Sequence, residues 1–379
     1  MEIVDLGVLC SGIKENKYGL ALARCKGNVA AVFTKNSIKS ASVLVCQENV
    51  SNGKIEGLIV NSGCANAFTG EKGYEDAKEM CKIAAKIFNC SEKKIAIAST
   101  GVIGKFLDME WIRKKVKEVY HDLGKSYEHA EKFAKAIVTT DRFIKKASSE
   151  KASISAVAKG AGMIAPNMAT MLCFIFTSAS FESGELYEML KEAVDESFNK
   201  LVVDGDTSTN DTVLLVALNK EKVQKDVFCD ELKKVCKSIA YQIAKDGEGS
   251  TRTFTVKVTG AESKEEAERV AKAIASSLLV KTAIFGRDPN WGRIVAAVGY
   301  STKVDEKISI AFSSGKSGEE VYVVVDGKIT GIEREAKKVM EENEHFEIVV
   351  DLNKGNCESF AIGCDLSYDY VKINSAYTT

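Results

Sequence analysis

The stretch that most constrains this chain runs from Lys159 to Thr177 and reads KGAGMIAPNMATMLCFIFT. It opens on a glycine-flexible turn, passes through Pro166, one of only two prolines, and enters the run Met171-Leu172-Cys173-Phe174-Ile175-Phe176. That run is short, apolar and rich in aromatic and β-branched residues, with Gly and Pro upstream, so it predicts a buried strand. Thr170 stands at its start, where a β-branched residue suits a pleated strand on structural grounds alone. A chain of 379 residues is too long for one ordinary core, which leaves two modules or one large layered domain.

Elsewhere short apolar runs alternate with turns and amphipathic segments. Leu20–Ala23, Val29–Phe33, Val43–Val45, Leu58–Val60, Ile95–Ala98, Ser153–Ala158, Val213–Ala217 and Phe254–Val258 read as strands. Helical spacing predicts helices over Ala77–Phe88, Asp108–Tyr120, Glu128–Val138, Leu186–Leu201, Asp230–Lys245 and Lys264–Leu278. The two kinds of element alternate without a clean βαβ rhythm, so pattern alone supports α/β or α+β layers.

The formal net charge of -1 argues against a nucleic-acid surface, which carries a basic excess or stripe. Lysines alternate with acids over Lys191–Lys200 and Lys264–Lys272, as on solvated helix faces. The eleven cysteines include no CxxC pair and match no common zinc spacing. Reduced, buried thiols in a cytoplasmic protein are expected. Two acids occupy the N-terminal segment where a signal peptide is basic, and no apolar run approaches the roughly 18 residues of a membrane span. A soluble chain that binds neither membrane nor nucleic acid is the expectation.

Several motifs invite other chemistry. Gly160-Ala161-Gly162-Met163-Ile164-Ala165 fits the looser dinucleotide pattern GxGxxA, but that pattern needs a helix next, and Pro166 and a strand-like run follow. Asp204 to Asp211 suggests a calcium loop, yet position six is Thr209 instead of Gly and position twelve is Leu215 instead of Glu. Gly315-Lys316-Ser317 lacks the first glycine of a phosphate loop, because Ile310 stands there. His121 and His129 lie among lysines and glutamates, as surface residues do, without the Ser and Asp partners of a triad.

The segment around Ala169-Thr170 closely resembles the cleavage-site motif of the ornithine acetyltransferase family, the bifunctional glutamate N-acetyltransferases. The resemblance recurs in NSGCANAFTG from Asn61, where the family usually has Asn in place of Cys64, and in Ser99-Thr100-Gly101 and Thr139-Thr140-Asp141. It continues in VDGDTSTND from Val203, in Asp246 to Thr251, and in FGRDPNWGR from Phe285. It implies an αββα sandwich similar to the N-terminal-nucleophile hydrolases. It also implies self-cleavage between Ala169 and Thr170 into associated product chains, 1–169 and 170–379, assembled as an α2β2 heterotetramer. The family pattern makes Thr170 the nucleophile, and Thr100 (hydroxyl) and Gly101 (backbone N–H) the oxyanion hole. One of Thr139 and Thr140, with Glu248, Asn374 and Thr379, would contact substrate. VDGDTSTND would brace the core near the site, and FGRDPNWGR would be architectural.

The implied reaction transfers an acetyl group from N-acetylornithine to glutamate, in arginine biosynthesis, through an acyl-enzyme and without a metal or bound cofactor. A free threonine hydroxyl is a weak nucleophile and needs an adjacent base. Cleavage before Thr170 would supply one on the same residue, an α-amino group of pKa about 7.7 to 8.0. Glu248 could hold the cationic amine of ornithine through a charge-assisted bond. Lys159 could bind the α-carboxylate both substrates share, or act as a base toward Thr170; the first is preferred because Thr170 would carry its own base. Acetyl-CoA as a further donor is left open. The rival readings are a threonine-nucleophile hydrolase that passes the acyl group to water and, more distantly, a dinucleotide-binding protein.

Overall fold

The structure, a computed structural model, describes residues 1–165, 171–315 and 319–376. Pro166, Ala169, Thr170, Lys316, Ser317 and Thr379 lie outside the described residues. The chain forms two compact units. The first is Met1–Asn199 with Asp206–Ile243; the second is Lys200–Gly205 with the described residues from Ala244 on.

Strands β1 (Leu9–Glu15) and β2 (Tyr18–Phe33) make an antiparallel hairpin turning at Asn16, whose φ of 53° is left-handed. Helix α1 (Ala41–Val50) follows, with the Ser40 hydroxyl accepting from the Val43 N–H at 3.2 Å. This corrects the strand expected at Val43–Val45. Three apolar residues cannot separate a strand from a buried helix turn, and the serine cap, with Ser42, Val45, Cys46 and Asn49 along one buried face, decides for the helix. Strand β3 (Lys54–Cys64) runs parallel to β4 (Ile95–Val102), and α2 (Gly70–Phe88) makes the crossover that parallel strands require. Helices α3 (Met109–His121) and α4 (Tyr127–Ile137) lead to strands β5 (Lys145–Ser149), β6 (Ile154–Lys159) and β7 (Leu172–Ala179). His121 is exposed, and His129 helps to cap α4 at Ser126. Helix α5 (Ser183–Asp195) ends earlier than its pattern suggested, before β8 (Leu201–Val202), β9 (Thr212–Glu221) and α6 (Lys225–Lys245).

The sheet of the first unit has the order β4-β3-β2-β9-β7-β6-β5, with β1 also on β2. Its shape is set by β2, which changes partner along its length: Gly19–Asn28 pair with β3 and Asn28–Phe33 with β9, with a register shift between Arg24 and Gly27. Gly27 is needed there, since a Cβ would lie 2.1 Å from the Ala217 carbonyl oxygen. Five strand intervals separate β4 from β6, roughly 24 Å in a flat sheet at about 4.8 Å each. Yet a β6 side chain touches a β4 side chain, Lys159 on Thr100 at 3.2 Å. The sheet therefore folds over on itself into two β layers.

Helices cover the layers: α1 and α2 pack on β3 and β4, and α5 on β2 and β9. Along β7, Leu172, Phe174 and Phe176 join the core of β2–β4 and α4, where Phe174 meets Phe133 edge to face at 6.0 Å. Cys173, next along the strand, is fully buried near Cys236 of α6. The expected αββα layering is found within this unit.

In the second unit the sheet order is β13-β12-β11-β14-β10-β15-β8. Its strands are β10 (Thr253–Ala261), β11 (Ser309–Ser313), β12 (Glu320–Val325), β13 (Lys328–Ile329), β14 (His345–Asp351) and β15 (Cys357–Cys364). Helix α7 (Lys264–Ser276) packs on β10 and β15, followed by α8 (Leu278–Phe285), α9 (Trp291–Ser301), α10 (Glu333–Glu342) and the terminal α11 (Tyr368–Ala376). In FGRDPNWGR, Asn290 caps α9, accepting from the Arg293 N–H, while Arg293 Nη1 donates to the Leu279 carbonyl at 2.7 Å. No helix among the described residues is long and apolar enough to cross a membrane.

Candidate active site

Strand β4 carries Ser99-Thr100-Gly101 just before its last residue, Val102, in register with Asn61-Ser62-Gly63 of β3. Gly101 has φ of 132°, and a Cβ on it would lie 2.3 Å from the Gly63 carbonyl carbon. Only glycine meets both conditions without strain. Thr100 is buried. The strand end is braced from behind: Ser99 Oγ donates to Asn61 Oδ1 at 2.5 Å, and Asn61 Nδ2 donates to the Cys64 carbonyl at 2.9 Å. NSGCANAFTG is thus a bonded support for β4; burial pushes the Cys64 thiol pKa up, and its Sγ donates to the Lys105 carbonyl at 3.2 Å.

Lys159 closes β6 and is 3% exposed. Its Nζ donates to Thr100 Oγ1 at 3.2 Å. Behind it lies Asp141, whose carboxylate accepts from the Gly160 N–H at 2.7 Å, from the Thr139 N–H at 3.0 Å and from the Lys145 ammonium. Burial pushes the Asp141 carboxyl up, but the charges of Lys159 and Lys145 and the Thr139 N–H outweigh it and hold the pKa at about 2. Lys14 is a third cation in this neighbourhood, donating to the Val138 carbonyl at 2.6 Å and to Ser62 Oγ at 2.8 Å. Burial and then the Lys159 charge pull its pKa down to about 8. Three lysines around one carboxylate leave the cluster net positive, an environment suited to an anionic ligand.

Across the fold, the N–H of Met171, the residue after Thr170, donates to Asp211 Oδ1 at 3.1 Å. Asp211 is fully buried, and burial raises its pKa well above the usual carboxylate range. After Gly160–Ala165 the next described element is strand β7, which denies the dinucleotide reading its helix in the described residues.

In the second unit, Asn374 of α11 donates from Nδ2 to Glu248 Oε2 at 2.9 Å. The terminal helix is docked on the turn that carries Glu248: Ser367 Oγ donates to the Gly249 carbonyl at 2.6 Å, and a Cβ on Gly249 would lie 2.3 Å from the Tyr370 nitrogen.

Of the expected site residues, the structure brings Thr100, Gly101, Lys159, Thr139 and Thr140 into one unit, with Lys159 on Thr100 and Thr139 on Asp141. Glu248 and Asn374 meet in the other. Ala169, Thr170 and Thr379 lie outside the described residues. Sequence reasoning missed Lys14, Asp141 and Lys145 as a charge cluster. Asp141 sits inside a quoted motif, and the signal for it was an acid at a helix exit with lysines on either side in sequence.

The fold and these residues define a layered α/β protein with a threonine–lysine pair where β4 and β6 meet. The ArgJ family pattern matches residues 5–379. The chain is 62% identical to the arginine biosynthesis bifunctional protein ArgJ of Archaeoglobus fulgidus over all of both chains. It is 46% identical to the glutamate N-acetyltransferase of Methanosarcina mazei, covering 98% of this chain and 97% of that one. The crystal structure of the bifunctional protein argJ from Bacillus halodurans is 42% identical with a TM-score of 0.50, covering 54% of this chain and 98% of that chain. The chain belongs to the ArgJ family.

Proposed function

We propose that this chain is a self-processing glutamate N-acetyltransferase of arginine biosynthesis, which moves the acetyl group of N-acetylornithine to glutamate. The observation that carries the reading is that Lys159, bonded to Thr100, pairs with Leu172 at the start of β7, while Asp211 holds Met171, the residue after Thr170. In maturation the Thr170 hydroxyl attacks the Ala169 carbonyl, the peptide C–N bond gives way to an ester, and water hydrolyses that ester. The products are a carboxylate at Ala169 and a free amine on Thr170. In turnover the amine takes the proton from Thr170 Oγ as that oxygen attacks the acetyl carbonyl. Ornithine leaves with the proton, and the amine of glutamate then accepts the acetyl group from the acyl-enzyme.

Thr100 is suited to the oxyanion hole. Its oxygen already accepts from Lys159, so its own hydrogen is left to donate, and the ammonium polarises it further. Gly101 offers a backbone N–H beside it. The net positive cluster of Lys159, Lys145 and Lys14 suits the α-carboxylate common to both substrates, and Glu248 with Asn374 suits the ornithine amine. The chemistry draws on the chain's own groups, with acetyl-CoA a candidate second donor.

Pairing of β6 with β7 and of β2 with β9 would tie the pieces 1–169 and 170–379 together after cleavage, in keeping with an α2β2 assembly. The solved Bacillus halodurans chain, matched over nearly all of its length, spans about the share of this chain that 170–379 occupies. Unpaired cysteines suit the reducing cytoplasm.

Intact mass tests the reading. Wild-type protein should be split between Ala169 and Thr170, Thr170→Ala should stay whole, and purified wild type should acetylate glutamate from N-acetylornithine. Release of acetate without a glutamate requirement would make the protein a hydrolase instead. Acetylation of glutamate by acetyl-CoA would add the second donor.

A further inference from the structure

Two consecutive side chains on the approach to β9 reach in opposite directions, as alternation along an extended chain dictates. Asn210 donates both amide hydrogens to the layer of β3 and β4, to the Ala65 carbonyl and to the Ser99 carbonyl, each at 2.7 Å. Its Oδ1 accepts from Thr209 Oγ1 at 2.6 Å, so both ends of the amide are held. Asp211 reaches the other layer, where Oδ1 accepts from the Met171 N–H at 3.1 Å. Thr212 completes the grip, its N–H donating to the Met171 carbonyl at 3.1 Å.

Ser99 is the residue before Thr100, and Met171 is the residue after Thr170. We propose that Asn210-Asp211 is a two-sided positioning element that sets the spacing between the oxyanion donors on β4 and the nucleophile ahead of β7. This rests on the reading of Thr170 as the self-cleaving nucleophile. Neither side chain is assigned contact with substrate; each acts through the backbone it holds. Both are buried, Asn210 at 4% and Asp211 at 0% exposure. Asp211 Oδ2 makes no hydrogen bond among the described residues, and Oδ1 is the acceptor that holds Met171. Burial favours the neutral carboxyl, which an asparagine amide matches in shape and in that acceptor.

The test compares Asp211→Asn, Asp211→Ala, Asn210→Ala and the double alanine variant in the full chain. It reads self-cleavage by intact mass over time, and kcat and KM for acetyl transfer. Asp211→Asn should process and turn over within about threefold of wild type. Asp211→Ala and Asn210→Ala should each slow both steps by about a hundredfold, the cost of roughly 1 Å of misplacement, with KM for N-acetylornithine nearly unchanged. Because the link is broken once by either change, the double variant should be no slower than the worse single one. Wild-type rates in Asp211→Ala, multiplied losses in the double variant, or an Asp211→Asn variant that melts like wild type yet cleaves a hundredfold slower would overturn the proposal. The Asn variant leaves no cavity, so its rates decide the matter even where an alanine variant fails to fold. Failure of the nucleophile assignment is read separately, as a cleaved Thr170→Ala chain.

Discussion

Lys159 Nζ donates to Thr100 Oγ1 over 3.2 Å, joining the end of β6 to the end of β4 across the inside of a folded-over sheet. A hydroxyl that accepts from an ammonium can donate only its own hydrogen. The pair therefore aims one polarised donor.

The first prediction concerns that donor. Thr100→Val removes it at nearly constant volume and should lower kcat by about 10² to 10³, the usual loss for one oxyanion donor, with KM little changed. Thr100→Ser keeps the hydroxyl and should stay within about tenfold of wild type. Steady-state kinetics on cleaved enzyme checks both, and equal activity of the Val and Ser variants would remove Thr100 from the oxyanion hole.

Lys159→Met separates carboxylate binding from base catalysis. If the ammonium holds the α-carboxylate, KM for both N-acetylornithine and glutamate should rise more than about tenfold, with a smaller fall in kcat from the loss of polarisation at Thr100. A collapse of kcat at unchanged KM would give the base role to Lys159 instead.

Acid stability should report on Asp141 and Asp211 with opposite signs. Asp141 is held at about 2 in the fold against an ordinary 3.8, so the unfolded chain binds the extra proton first and stability falls as pH drops from about 5 towards 2. The contribution is about 2 kcal/mol, fully present above pH 5. Asp211, raised by burial, keeps its proton after the unfolded chain has released it, and its contribution weakens as pH rises above about 4. Urea unfolding between pH 5 and 2.5 should then show a flatter acid limb for Asp141→Asn and a steeper one for Asp211→Asn than for wild type. Parallel curves for all three would refute the assignment.

How much of this was legible in the sequence depends on what kind of signal carried it. The β7 strand, the β4 strand into Thr100-Gly101 and the helices around α2 and α7 could be read from short-range apolar spacing, because one buried face is a local pattern. Val43–Val45 could not, since three apolar residues fit either period and the Ser40 cap decides. The folding of the sheet was hidden for a different reason: it arises where β2 exchanges β3 for β9, a long-range pairing that no window of sequence contains. Thr100, Gly101 and Lys159 were found through motif resemblance, but the contact between them depends on that fold. Asp211 was read as part of a bracing motif, while its grip on Met171 needed the parallel register of β7 and β9.

The final prediction uses the charge difference between the two substrates. N-acetylornithine presents a cationic amine at its far end, whereas glutamate presents a second carboxylate there. Glu248, with one oxygen on Asn374 Nδ2 at 2.9 Å, would attract the first through a charge-assisted bond and repel the second. Glu248→Gln keeps the shape and removes the charge. KM for N-acetylornithine should rise about tenfold, as expected for losing roughly 1.5 kcal/mol of a bond to a charged group, while KM for glutamate should stay the same or fall. The ratio of the two half-reactions, measured separately as ornithine release and as acetylglutamate formation from the acyl-enzyme, checks this without depending on the total rate. An equal rise for both substrates would mean that Glu248 shapes the site without reading charge.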